Sequence, residues 1–435
     1  MELTGSGLTC AQLYAVAYGG ARVGLGPLDR AWRAWESAQD LTGPVYGQST
    51  GVGANKDVDV AQGGFDLLRS HAGGAGPLVP AERVRAMLVV RANQLLAGGS
   101  GVDPRVLPVL VEAVNGGFVP PVRTYGAIGT GDLTALATTA LCLLGELPWH
   151  DQAEGPRFAL TSADALPFIS SGAATLADAA LACHQVAHLL EAAVTVAAKA
   201  FAAVGASPEP LALAVQHARP QPGQVAAAEA LRPMLGVEGA RLQDPYGYRA
   251  FAQVHGAALD AVRHACRTVE IDLNAAAENP LIAESLAWHN GNFHAASVAL
   301  ALDTLRAAVC SVAQLSAARL ATLMEPEYTG RLPFLAAAPG ASGAMILEYV
   351  AHDALAELRH LAGLVSTGSA VLSRGVEDHA SFATQAARLA LRCVEPLEIV
   401  LACELVAATR ALGTPGPDRP LDGELDAARA TFRAP

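Results

Sequence analysis

The chain has 435 residues, a formal net charge of -12 and a 52% apolar share, with only 16% charged residues. That length supports a large core, and the low charge with high apolar content excludes intrinsic disorder. The acidic balance excludes nucleic acid as the main partner, because phosphate recognition needs clustered Lys and Arg.

The N-terminus, MELTGSGLTC, has no basic region and no apolar run before a cleavage site, so no signal peptide is expected. Seven cysteines (10, 142, 183, 266, 310, 393, 403) include no CxxC pair, which fits reduced thiols in a cytoplasmic protein. Residues 1–80 alternate short apolar pieces with Gly-rich turns, and PLDRAWRAWESAQ (27–39) reads as one short helix. AERVRAMLVVRANQLLAG (81–98) has helical spacing and ends at glycines, as a C-cap should. In TYGAIGTGDLTALA (124–137), Asp132 is placed to cap the following helix, which puts Gly129-Thr130-Gly131 at a helix N-terminus. From about 170 to 412 the chain reads as long Ala/Leu helices, broken by loops such as RPQPGQ (219–224) and FLAAAPGASG (334–343). The apolar stretch 176–204 carries Asp178, His184, His188, Glu191 and Lys199, so it predicts a buried helix of a soluble protein, not a membrane span. Within it, HQVAH (184–188) has the spacing of two zinc ligands but lacks the glutamate of a zinc hydrolase motif; buried or interface histidines, and no metal, are expected. GTPGPDRP (413–420) is a loop before a last short helix.

Several loops hold more polar residues than a linker needs: YGQSTGVG (46–53), QDPYGYR (243–249), AQVHG (252–256), AENPLI (277–282), NGNFH (290–294) and VEDHASF (376–382). Such groups are costly to bury unless they bond to one another or to a ligand. Any one of them alone reads as a structural network. Together with SHAGGAG (70–76), RANQLLAGGSG (91–101), GTGDLTALA (129–137) and RPQPGQ, they resemble, in order from about 40 to 385, the histidine and phenylalanine ammonia-lyase family.

The resemblance implies an electrophile built from the backbone. In the family a tripeptide, usually Ala-Ser-Gly, cyclises and loses two waters to give a methylidene-imidazolone. Here Gly129-Thr130-Gly131 stands in its place, so no external cofactor is expected and the ring would carry a methyl group. Gly131 keeps the attacking nitrogen, and Gly129 changes only a substituent on the ring. Dehydrated Thr130 is the larger change, because its alkene is more crowded and less electrophilic. Helix-terminus and backbone dipoles would assist ring formation. Without the ring, Gly-Thr-Gly is a tight turn into a helix.

The resemblance also assigns roles. Tyr46 matches the base that removes a proton beta to the amine; an ordinary Tyr has a pKa of about 10, so a depressed value or a neighbouring base is expected. Tyr246 would sit near the electrophile, and Arg249 would grip the substrate carboxylate. Gln243, Asn279 and Phe293 match further pocket positions. Ser70-His71 and Glu377 match the histidine-type enzymes, not the Phe-Leu or His-Leu pairs of the phenylalanine and tyrosine enzymes, and suit a polar ring. Three positions depart from the pattern: Ser171 replaces the asparagine that supports the electrophile's oxygen, Val376 replaces a glutamine, and Ala341-Ser342-Gly343 replaces Asn-Ser-Gly.

The expected fold is mainly α: a mixed α+β N-terminal lobe (1–170), then a long central helical bundle with C-terminal helices (171–435), the ammonia-lyase/fumarase-like superfold. The expected function is elimination of ammonia from histidine or a related polar aromatic amino acid, or a 2,3-shift of its amine. One alternative is a same-fold enzyme that uses acid–base elimination, dehydration or cyclisation without the imidazolone. Another is a non-catalytic paralogue. The resemblance implies a homotetramer whose active sites each draw on three subunits, with a small amino acid as partner and neither nucleic acid nor membrane.

Overall fold

The computed structural model describes residues 1–60, 64–152, 154–236 and 239–432. Helix dominates, as expected. The elements that matter below are α1 (Ala81–Ala97), α2 (Leu133–Leu144), α3 (Ala173–Val204), α4 (Phe251–Leu273), α5 (Ala296–Leu323), α6 (Ile346–Leu361), α7 (Ala383–Arg392) and α8 (Val394–Leu412). The short helix read at 27–39 forms over Asp29–Gln39, and the last one over Asp422–Ala430. The 176–204 stretch lies within α3. It and α5 are long and apolar enough to cross a membrane by length and composition, but more than half of the most apolar window in each is buried within the protein.

The chain divides into two compact units that are discontinuous in sequence. The first holds residues 1–181, 266–302 and 364–388, and the second holds 182–265, 303–363 and 389–435. The expected mixed lobe, 1–170, therefore falls wholly in the first unit, which gathers two later segments as well. Every strand among the described residues is there. β1 (Ala75–Leu78) pairs antiparallel with β2 (Arg123–Tyr125), and β3 (Leu281–Ala283) pairs antiparallel with β4 (Leu286–Trp288). The β3–β4 turn, Glu284-Ser285, has positive φ at both residues (53° and 59°), as a two-residue hairpin with right-handed strand twist requires. This hairpin delivers residues 289–294 to the site described below.

Within the first unit, α1 is buried around most of its circumference, and its polar residues explain why the motif RANQ interrupts an apolar helix. Arg91, 1% exposed, donates to Glu278 Oε1 at 3.0 Å and to the carbonyls of Phe168 (3.0 Å) and Pro167 (2.6 Å). Asn93 Nδ2 donates to the Leu273 carbonyl, and Gln94 Nε2 to that of Asp272. Gln94 Oε1 accepts the Ser171 hydroxyl at 2.6 Å. These bonds tie segments far apart in sequence to one helix, while the second Glu278 oxygen, Oε2, is buried without a hydrogen-bond partner among the described residues.

The second unit is organised around another buried pair. Arg319 on α5 donates to Glu404 on α8 at 2.5 and 2.8 Å, and Ser316 adds a hydroxyl to the same carboxylate. Phe201, Tyr248 and Phe251 pack edge to face beside it. His255, from the AQVHG motif, stacks on Phe251 at 4.8 Å. Burial, with the Arg319 charge, lowers its pKa to about 4, so it is a neutral core residue.

Candidate active site

The first unit contains an open cavity of about 950 Å³. Tyr46, His71, Thr130, Gly131 and Ser171 line it, together with Asn279, Phe293 and Glu377. Eight of the twelve residues singled out from the sequence thus meet in one place, brought there by three separate chain segments. Of the tripeptide, Gly129 is buried behind the cavity wall.

Tyr46 is half-buried, and its Oη accepts the Gly53 N–H at 2.7 Å. Gly53 has φ +55°, and a Cβ there would collide with Ser373 Oγ and lie 2.9 Å from Glu377 Oε1. Only glycine lets the loop turn back on its own tyrosine and approach the Ser373–Glu377 segment so closely. The depressed pKa expected for Tyr46 is absent. Burial raises it above its ordinary value and the Glu377 charge raises it further, while the bond from Gly53 pulls it down. Burial disfavours the phenolate, and one backbone donor does not offset that.

The tripeptide forms a tight turn with φ +86° at Gly129 and +121° at Gly131. Gly129 is more than a missing methyl. A Cβ there would collide with Ser381 Oγ and lie 2.6 Å from the Ala383 nitrogen. The open chain therefore has no space at this position for the alanine usual in the family, a constraint that comes in addition to the change of ring substituent. The turn nevertheless fits an imidazolone precursor. Both glycines adopt the backbone that a sharp reversal needs, and Thr130 and Gly131 face the cavity.

Asp132 occupies the N-cap position of α2 but makes no side-chain cap bond. Its carboxylate is taken instead by Thr175, which donates its N–H at 2.7 Å and its hydroxyl at 2.8 Å. The Asp132 backbone N–H donates to the Ser171 carbonyl at 2.8 Å, which anchors the end of the tripeptide. Complete burial raises the Asp132 pKa to about 6, against the Thr175 bonds that lower it. The folded chain therefore holds this proton more tightly than the unfolded one. That contribution is complete below the ordinary value of 3.8 and is lost as pH rises through about 6. The shift is worth about 3 kcal/mol. Asp132→Asn keeps an accepting oxygen and removes the titration. Denaturant titrations should show wild-type stability falling relative to the variant by about 2.5 kcal/mol between pH 4 and pH 7.5. An unchanged difference across that range contradicts the assignment.

His71 ends a short helix, Gly64–His71, and its Nδ1 lies 2.9 Å from the Leu67 carbonyl oxygen. A carbonyl oxygen only accepts, so this bond puts the proton on Nδ1 and leaves the Nε2 of a neutral ring as an acceptor. Ser171 is 3% exposed, and its single proton goes to Gln94. Its oxygen also accepts the Ala173 N–H at 3.0 Å. It serves as a fixed strut, without the spare donor that an asparagine would bring. Asn279 Oδ1 accepts the Asn290 N–H at 3.0 Å, which joins the loop after α4 to the β3–β4 hairpin.

Three cavity-lining histidines were not singled out from the sequence. His289 Nε2 accepts the Tyr46 backbone N–H at 3.3 Å. His294 Nε2 and His379 Nδ1 lie 2.9 Å apart, so one of them holds a proton between the two rings. His294 and His379 sit inside the quoted motifs NGNFH and VEDHASF, but their pairing across 85 residues has no signal in spacing alone.

Gln243, Tyr246 and Arg249 belong to the second unit and do not line this cavity. In QDPYGYR the inward residues are structural. Asp244 accepts from the Ser207 N–H and Arg241, the Gly247 carbonyl accepts from Arg319, and Tyr248 is buried. Gln243 and Tyr246 point outward, Tyr246 being 72% exposed, and the Arg249 guanidinium lies 5.0 Å over the Tyr246 ring. No arginine is among the described residues lining the cavity. Ala341-Ser342-Gly343 also lies in the second unit, where Asp418 accepts the N–H groups of Ser342 and Gly343.

With this geometry in hand, comparison with known proteins places the chain. The family described as aromatic amino acid lyase matches residues 8–434. A histidine ammonia-lyase of Geobacillus thermodenitrificans is 36% identical over 452 residues, covering 96% of this chain and 89% of that protein. The crystal structure of histidine ammonia-lyase from Trypanosoma cruzi superposes with a TM-score of 0.88 at 26% identity, covering 99% of this chain and 92% of the other. Tyrosine aminomutase from Streptomyces globisporus superposes with a TM-score of 0.91 at 25% identity, covering 99% and 96%. The chain belongs to the aromatic amino acid lyase family, and it is a mainly helical carbon–nitrogen lyase.

Proposed function

We propose that the enzyme removes ammonia from histidine or a related amino acid with a polar aromatic ring, or shifts its amine between adjacent carbons, at the cavity of the first unit. The observation that carries this reading is the His71 tautomer. His71 lines the same cavity as Tyr46, Glu377, Thr130 and Gly131, and with Nδ1 donating to the Leu67 carbonyl its Nε2 is an acceptor that suits an imidazole N–H. An imidazolone formed from Gly129-Thr130-Gly131 supplies the electrophile. Tyr46 takes the proton beta to the amine. A substrate ammonium near Glu377 offsets the charge that raises the Tyr46 pKa, so substrate itself favours the base form. Among the described residues lining the cavity Lys56 is present but no arginine, so in this reading Arg249 reaches the substrate carboxylate from another subunit, along with Gln243 and Tyr246, and the working enzyme is a homo-oligomer, a tetramer by likeness to the family.

Ammonia release measured over a panel of histidine, phenylalanine and tyrosine tests the substrate class. Histidine should be turned over in preference, and His71→Leu should reduce its kcat/KM by about 10²-fold or more, since a site built to hydrogen-bond a ring loses that discrimination. Preference for phenylalanine would contradict the reading. The chief rival is an acid–base enzyme of the same fold. It is favoured by the engagement of Ser171 with Gln94, which leaves the tripeptide without the usual side-chain support. In that case Thr130→Ala leaves turnover intact, whereas the proposed reaction loses it.

A further inference from the structure

We infer that Ser381 is a catalytic residue for making the imidazolone itself, holding the Gly129 carbonyl oxygen as negative charge develops there; this rests on the ring-forming reading above. The Gly129 oxygen accepts two donors, the Ser381 hydroxyl at 2.8 Å and the Ala295 N–H at 3.2 Å. Ser381 is 4% exposed, so the bond lies in a region shielded from water, where such donors act most strongly. The donors also belong to a longer clamp. Arg388 donates to the Thr124 carbonyl, Gln385 to that of Ala127, and the Phe382 N–H to that of Ile128. α7 and the residues just before it thus hold the carbonyls of Thr124, Ala127, Ile128 and Gly129, and Ser381 takes the last of them. The bare Gly129 Cα is what admits the Ser381 hydroxyl, since a Cβ would occupy its place.

The step balances without an outside reagent. The Gly131 nitrogen attacks the Gly129 carbonyl carbon and a C–N bond forms. The carbonyl π pair moves onto oxygen, which Ser381 and Ala295 stabilise. That oxygen then leaves as water with the protons of the Gly131 and Thr130 nitrogens, and a C=N bond forms. A second water takes the Thr130 hydroxyl and its Cα proton and leaves the exocyclic alkene. No oxidant or reductant is consumed. Two preorganised donors on the attacked carbonyl are the arrangement known to lower the barrier of acyl attack, and loss of one costs about 10²–10³ in rate.

The test follows the mass of the peptide containing residues 129–131 against time after cell-free synthesis of the full chain, for wild type, Ser381→Ala and Ser381→Thr. The hydroxyl also accepts the Ala383 N–H at 3.3 Å, so thermal midpoints are measured in parallel to separate folding from ring closure. The inference predicts that wild type becomes two waters lighter and that folded Ser381→Ala does so about 10²-fold or more slowly. Ser381→Thr, which keeps the hydroxyl, should recover most of the rate. If wild type cyclises and Ser381→Ala keeps pace with it, the role of Ser381 is overturned while the ring stands. If the alanine and threonine variants slow alike in proportion to lost stability, Ser381 is a structural stitch and the inference also fails. If wild type stays at full mass, the ring-forming reading fails and takes this inference with it.

Discussion

Tyr46→Phe should lower kcat by about 10²–10⁴-fold while changing substrate affinity by less than about threefold, because it deletes one oxygen and little packing. That oxygen is the group held by the Gly53 N–H at 2.7 Å, and Tyr46 is the one tyrosine among the described residues lining the cavity. The burial that positions it also raises its pKa above the ordinary value, with Glu377 adding to the rise. Tyr46 is therefore protonated at neutral pH in the free enzyme. The phenolate fraction grows about tenfold for each pH unit below that raised pKa, so kcat/KM should climb through the alkaline range. Glu377→Gln removes the negative charge and should move the climbing limb to lower pH, whatever it does to the absolute rate. Steady-state kinetics of the two variants decide the matter. Full activity in Tyr46→Phe, or a limb that moves to higher pH in Glu377→Gln, contradicts the assignment of Tyr46 as base.

Glu278→Ala should destabilise the protein by about 3–5 kcal/mol, since it strands a buried guanidinium. Arg91 and Glu278 are each 1% exposed and meet at 3.0 Å. Burial disfavours the charged form of both, lowering the Arg91 pKa and raising that of Glu278, so each depends on the other. The cost reaches the site as well. Glu278 precedes Asn279, and its carbonyl accepts the Asn290 side chain at 2.9 Å. Losing the pair loosens the loop that carries Asn279 and the hairpin that carries Phe293. Chemical denaturation gives the stability loss directly. Replacing both partners by apolar residues of similar size, as in Arg91→Met with Glu278→Leu, should cost less than Glu278→Ala alone. A single variant as stable as wild type would show that the pair holds nothing in place.

The helices were legible because Ala/Leu spacing and glycine stops are local signals, and α1 begins and ends within a residue of its predicted bounds. The membership of the cavity was legible only through the ordered motifs, since nothing in spacing brings Tyr46 to Glu377. What sequence could not supply is competition for partners. Asp132 stands where a cap belongs, yet Thr175 offers it two donors and wins. Ser171 stands where a supporting donor belongs, yet Gln94 already holds its proton. Gly129 reads as a small change from alanine until Ser381, 252 residues away, is seen to fill the space of the missing Cβ. The Tyr46 pKa follows from burial, which residue identity does not carry. Gln243, Tyr246 and Arg249 are assigned to the site by likeness alone, and they fall in the second compact unit, whereas the cavity lies in the first.

The decisive measurement is the mass of the peptide spanning Gly129-Thr130-Gly131, taken from freshly purified, folded protein. The account predicts a peptide lighter by two waters, the mark of a threonine-derived imidazolone. A peptide of full mass from well-folded protein contradicts it and leaves acid–base chemistry at Tyr46 and Glu377 as the reaction to pursue.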